Sequence, residues 1–172
     1  MGLFTKIKNY ITGGAAEVGI VFEENPTDGL SPLRVFVTAF ANADCKASNV
    51  YLKWRARETY KKLVTTTSTD SDGNSTTSTH SETRYEDHYT AQVKVAEEVS
   101  IAKGKEERWL VTLDLPREAH PTYHGKEVFF KWEVFAGLSM PGNDPDSGWQ
   151  EVVIRRKTNY QYKEQEANGR DQ

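Results

Sequence analysis

The sequence holds one cysteine, Cys45, so no intrachain disulfide can brace the fold, and a reducing, cytoplasmic setting is expected. Long apolar runs are missing too. No window approaches the roughly 18 consecutive apolar residues of a membrane span, and no secretory apolar core follows the first residue. Charge of one sign is not in excess: 22 Lys and Arg mix with 25 Asp and Glu, a formal net charge of −3 that gives a phosphate backbone nothing to hold. Nucleic acid is therefore not an expected partner. Met1-Gly2 opens like a myristoylation signal, but Lys6 stands where that signal needs Ser or Thr, and lipidation is not expected.

Catalytic patterns are also scarce. There is no phosphate-cradling glycine loop, no nucleophile elbow and no HExxH. His80, His88, His120 and His124 fall in or near expected loops. The HPTYH segment offers His120 and His124, with Asp144 further on, but no third ligand nearby fixes a metal geometry. Cys45 has no adjacent base to activate it. Asp70, Asp72 and Asn74 imitate the start of a calcium loop, yet Ser75 and Ser81 replace its glycine and its glutamate. The expectation is no enzyme, no cofactor and no metal.

What is present is alternation. Aromatic residues make up 11% of a chain only 37% hydrophobic, and most sit in strand-like runs where they can fill a thin core. Leu33, Val35, Val37 and Ala39 share one face of a run whose other face carries Phe36 and Phe40. Val50, Leu52, Trp54 and Ala56 repeat the pattern, as do Trp109, Val111, Leu113 and Leu115, then Val128, Phe130, Trp132, Val134 and Ala136, then Val152 and Ile154. A first strand is expected near Ala16 to Glu24, and Lys103-Gly104-Lys105 reads as a turn. About seven or eight such strands without helical patterns between them predict an antiparallel, immunoglobulin-like β-sandwich over residues 15–160.

Three segments lie outside that plan. In residues 1–14, Leu3, Phe4, Ile7, Tyr10 and Ile11 recur at helical spacing before Gly13 and Gly14, which predicts a short amphipathic helix. Its apolar face would cover one end of the sandwich or meet a partner or a membrane surface. Residues 161–172 are polar and aperiodic, a tail. Residues 65–83 are rich in Thr and Ser. Composition alone makes them a disordered loop, whereas β-branched threonines around Asp72-Gly73 make them a long hairpin with Tyr60 opposite Tyr85.

Leu113, Leu115 and Pro116, the loop from Pro121 to Gly125, the strand with Trp132, Val134 and Ala136, and Asp144-Pro145 before Trp149 resemble, in order and spacing, the pattern of arrestin-like domains. With the N-terminal stretch LFTKIKNYITGGAAEV, the chain looks most like the bacterial sporulation-control (SpoOM) family. The resemblance implies an arrestin-like sandwich, at the length of a single lobe, acting as a non-enzymatic adaptor or regulatory scaffold for protein partners. Leu3, Phe4, Ile7, Tyr10, Ile11, Asp72 and Gly73 are the expected contact residues. The alternative is a self-assembling structural subunit that uses exposed strand edges and the 65–83 arm.

Overall fold

The computed structural model describes residues 14–155 apart from 117, 118 and 143. The expected N-terminal helix, with Leu3, Phe4, Ile7, Tyr10 and Ile11, and the expected tail at 161–172 lie outside the described residues.

Eight strands run in chain order: β1 (Ala16–Phe22), β2 (Leu33–Ala41), β3 (Cys45–Thr69), β4 (Ser75–Ile101), β5 (Glu106–Leu113), β6 (Tyr123–His124), β7 (Val128–Ser139) and β8 (Gln150–Val152). They form two antiparallel sheets, one ordered β1-β2-β5, the other β4-β3-β7-β6 with β8 also against β7. The period of two read in the sequence decides which side chains meet between them. Leu33, Val35, Val37 and Ala39 of β2 are buried, and so are Val50, Leu52 and Ala56 of β3 and Trp132, Val134 and Ala136 of β7. Val111, Leu113, Val152 and Ile154 join the same buried cluster, so the two sheets share one core, as a sandwich requires. The outward Phe36 of β2 is covered by the Arg108 guanidinium, 3.8 Å from its ring centroid.

Expectation and structure differ in places. Trp54 and Trp109 only flank the core as partly buried residues, and Val128 is exposed. Strand β3 starts at Cys45, several residues before the alternation becomes legible. Its inward face passes from Cys45 and Ala47 to Val50 and Leu52, and that change of phase hides its first turn of pleat. Along β4 the pairing with β3 slips twice, between Val50 and Tyr51 and between Ala56 and Arg57, leaving Val95 and His88 as extra residues on β4.

Several buried polar groups find partners, the Trp54 indole N–H being an exception among the described residues. Ser147 is fully buried; its Oγ accepts the Ala136 amide at 2.9 Å and donates to the Gly148 carbonyl at 2.8 Å. The Trp132 indole N–H donates to the His120 carbonyl at 2.9 Å, and Thr122 Oγ1 accepts the Ile154 amide at 2.9 Å. The segments that carry the arrestin-like pattern are thus pinned to β7 and to the chain after β8. The Asp144 carboxylate accepts the Met140 amide, and the Pro145 carbonyl accepts that of Leu138.

Candidate interaction surface

Between Val128 and Ser139, β7 covers one edge of β3 from Tyr60 back to Asn49, and Lys61 still donates to the Glu127 carbonyl at 3.1 Å. Beyond that point β3 and β4 continue together as a two-stranded arm, with no third strand beside them among the described residues. None of residues 62–82 is buried. The hairpin reading of the threonine-rich segment is therefore the one the structure adopts, and the loop reading is not.

The turn differs from expectation. Thr69 pairs with Ser75, so three residues, 71–73, bridge Asp70 and Asn74 where a two-residue Asp72-Gly73 turn was predicted. The cause is Asp70. Its carboxylate accepts the backbone amides of Asp72 at 3.0 Å and Asn74 at 2.9 Å, and its carbonyl accepts that of Gly73 at 3.1 Å. Gly73 then takes φ of +84°, the left-handed position that closes a three-residue hairpin loop. One extra loop residue moves the register by one: Tyr85 faces Thr59, and Tyr60 faces Arg84. Asp72 and Gly73 both occupy the tip. Hydrogen bonds from the Asn74 backbone and side chain hold the Asp70 carboxyl below its ordinary value of 3.8.

Cross-strand pairs order the arm. On one face the hydroxyls of Thr65 and Thr79, Thr67 and Thr77, and Thr69 and Ser75 meet at 3.1, 3.2 and 2.9 Å. Toward the sandwich the same face carries Arg57, whose Nε and Nη2 grip both Asp87 oxygens at 2.6 and 2.8 Å. The other face carries a row of polar and charged side chains along β4, His80, Glu82, Arg84 and Glu86. His80 and Arg84 both contact Glu82, and Glu86 lies opposite Glu58. Hydrogen bonding to His80 and the nearby Arg84 charge pull the Glu82 carboxyl below its ordinary range. His88, the extra residue of the bulge, reaches Glu58 at 2.8 Å and leans on Phe130. Glu58, Glu86 and His88 present ligand-type atoms within 4.8 Å of one another, the one such group among the described residues. The hydrogen bond between His88 and Glu58 accounts for their approach.

His80 and His88 therefore sit inside β4 and His124 in β6, not in loops, because each belongs to a polar alternation that histidine alone does not advertise. His124 is held by Glu151 at 2.7 Å and His120 stands edge-on to Phe130, while Asp144 is occupied by the Met140 amide. These three are not brought together as ligands. The residues that sequence reasoning passed over are Glu82, Arg84 and Glu86, which follow His80 along β4. Their signal was legible as charges of alternating sign at every second position of ETRYE.

A second surface lies on the outer face of β3 and β7. Tyr51 stacks on Phe135 at 6.3 Å between centroids, Phe135 touches Trp149 at 5.2 Å, and Arg55 lies 3.8 Å above the Trp149 ring while pairing with Glu133. Tyr51 folds over Gly137, its cross-strand partner, where a Cβ would lie 2.5 Å from the phenol oxygen. Burial, with the nearby Asp144 and Asp146 charges, raises the Tyr51 phenol above its ordinary value.

No family model matches the sequence, and no curated protein matches it. Among solved structures, the crystal structure of Spo0M, a sporulation control protein from Bacillus subtilis, superposes with a TM-score of 0.57 at 16% identity. The match covers 91% of this chain and 55% of that one, so this chain spans about half the length of its structural relative. The arrestin-like sandwich expected from the sequence is the fold the chain has. No helix among the described residues is long and apolar enough to cross a membrane.

Proposed function

We propose that this chain is a non-enzymatic, arrestin-like regulatory or adaptor domain that binds protein partners through the β3–β4 arm. The observation that supports the reading is the arm itself. Two strands of 25 and 27 residues extend past the core, carrying paired hydroxyls and a charged row but no buried side chain in residues 62–82. A lone hairpin is marginal in water, so an arm of this length gains by contact with another surface. The fold likeness to a sporulation control protein supports a regulatory role. His80, His88 and His124 are each engaged by a carboxylate, which fits surface ion pairs better than acid–base chemistry.

The test is a pull-down from host extract with the full chain beside a variant in which residues 63–81 are replaced by a two-residue Asn-Gly turn, closed by the hydrogen-bonded Lys62–Glu82 pair. Proteins retained by the full chain and lost from the shortened one support the arm as the contact. Equal retention by both sinks it. Peripheral membrane contact through Leu3, Phe4, Ile7, Tyr10 and Ile11 is a separate part of the proposal. It predicts that liposome co-sedimentation falls when residues 1–13 are removed.

A further inference from the structure

We propose that a second copy of this chain pairs antiparallel with the open edge of β4, about a two-fold axis at Thr83. Strand β4 ends its sheet, and among the described residues its far edge pairs with nothing over Ser75–Ile101. Its backbone phase can be read from the turn. The Asp70 amide donates to the Asn74 carbonyl at 3.0 Å, which makes that the closing hydrogen-bonded pair, and bonded pairs alternate from there. Even-numbered residues from Asn74 to Glu86 therefore bond to β3. Odd-numbered residues from Ser75 to Asp87 turn their N–H and C=O groups outward. An axis at Thr83, an odd residue, lets those outward groups bond to the same set in a second copy.

The side chains fit the same register. On one face His80, Glu82, Arg84 and Glu86 follow one another, with the Arg84 cation between two carboxylates and the His80 imidazole beyond Glu82. A two-fold at Thr83 sets Glu82 against Arg84 of the second copy and His80 against Glu86 of the second copy, and by symmetry the reverse. The two contacts between Glu82 and Arg84 join opposite charges, and the two between His80 and Glu86 set an imidazole N–H against a carboxylate. They fall in the pairs without backbone bonds, where side chains approach most closely. An axis one residue later sets Glu82 against Glu86 and Arg84 against itself. One residue earlier, His80 meets Arg84 and Glu82 meets itself. An axis at Tyr85 has to run through the extra residue His88, and one at Ser81 leaves Arg84 and Glu86 facing Ser78 and Thr76.

The opposite face gives an independent reason. Leu63 and Tyr85, the arm's two large exposed hydrophobic residues, are 75% and 64% accessible. Leu63 pairs with Ser81, and the proposed axis places Ser81 opposite Tyr85 of the second copy. The small serine leaves room for the phenol ring to lie across it toward Leu63, so both hydrophobic groups lose water at one place. The two arms become a four-stranded ribbon, which relieves the marginal stability of each hairpin. The pairing goes beyond the adaptor reading and does not depend on it, since it needs only the purified chain.

Sedimentation equilibrium of the full chain, with Glu82→Arg and Arg84→Glu each alone and mixed in equal amounts, tests the pairing, and circular dichroism checks that strands persist. The expected result is a wild-type dimer in the micromolar range and association roughly tenfold or more weaker for each single variant. The mixture should recover, because the arginine introduced at position 82 in one variant then meets the glutamate introduced at position 84 in the other. Thr83→Cys should form an interchain disulfide on mild oxidation, since residue 83 faces its own copy while Cys45 is buried. A strictly monomeric wild type, single variants that dimerise normally, a mixture that fails to recover, assembly continuing beyond two copies, or no cross-link at position 83 would each overturn the proposal.

Discussion

Trp54 and Trp132 occupy equivalent places in two alternating strands, and from sequence both belong to the core. Trp132 is 3% exposed and its indole N–H donates to His120, whereas the Trp54 indole N–H is buried without an acceptor among the described residues. Replacing either with Phe removes similar volume, but only Trp132→Phe leaves a partnered carbonyl without its donor. Urea unfolding should therefore show Trp132→Phe to be the more destabilising change, by about 1–2 kcal/mol. The distinction was not legible in the sequence, because it depends on where the segment around His120 returns against β7. The Arg57–Asp87 pair belongs to the same scale. The bidentate hydrogen bond from Arg57 lowers the Asp87 carboxyl from its ordinary value of 3.8. A carboxyl with a lowered pKa stabilises the fold above its unfolded value and loses that contribution as pH falls through the folded one. The pair is largely solvent-screened, so Asp87→Asn should cost roughly 0.5 kcal/mol at neutral pH, and the difference should shrink as pH falls below the ordinary carboxyl value of 3.8. Urea midpoints for the two proteins, followed from neutral to acid pH, check it.

Among elements, the core strands were legible because one face of each is buried, and burial imposes the period of two on residues such as Val35 and Val37 or Val134 and Ala136. The arm was only half legible. Neither of its faces is buried, so no hydrophobic pattern fixes its register, and composition permitted both a loop and a hairpin. The register came out one residue from expectation because Asp70 caps two amides and so draws a third residue into the loop. The slip at His88 was likewise invisible, since an inserted residue in a polar strand breaks no apolar alternation. With nothing buried in residues 62–82, the arm should add little to the sandwich. Replacing it by the short Asn-Gly turn is expected to shift the thermal midpoint by less than about 4 °C, read by circular dichroism at low protein concentration.

For the molecule as a whole, one core unites two sheets while its longest strand pair leaves that core behind. The sandwich explains stability, and the parts that a minimal sandwich would omit are those to which binding is assigned. The asymmetry of the two register slips has a mechanical consequence. From the Val50–Ala96 pair to the Arg57–Asp87 pair, β3 advances seven residues and β4 nine. The two strands are rails of unequal length on one track, and a track with a longer rail curves away from it. Strand β4 thus runs along the outside of a bend set within the β7-covered part of β3, before the arm leaves the sandwich, and the curve gives its unpaired edge a convex line.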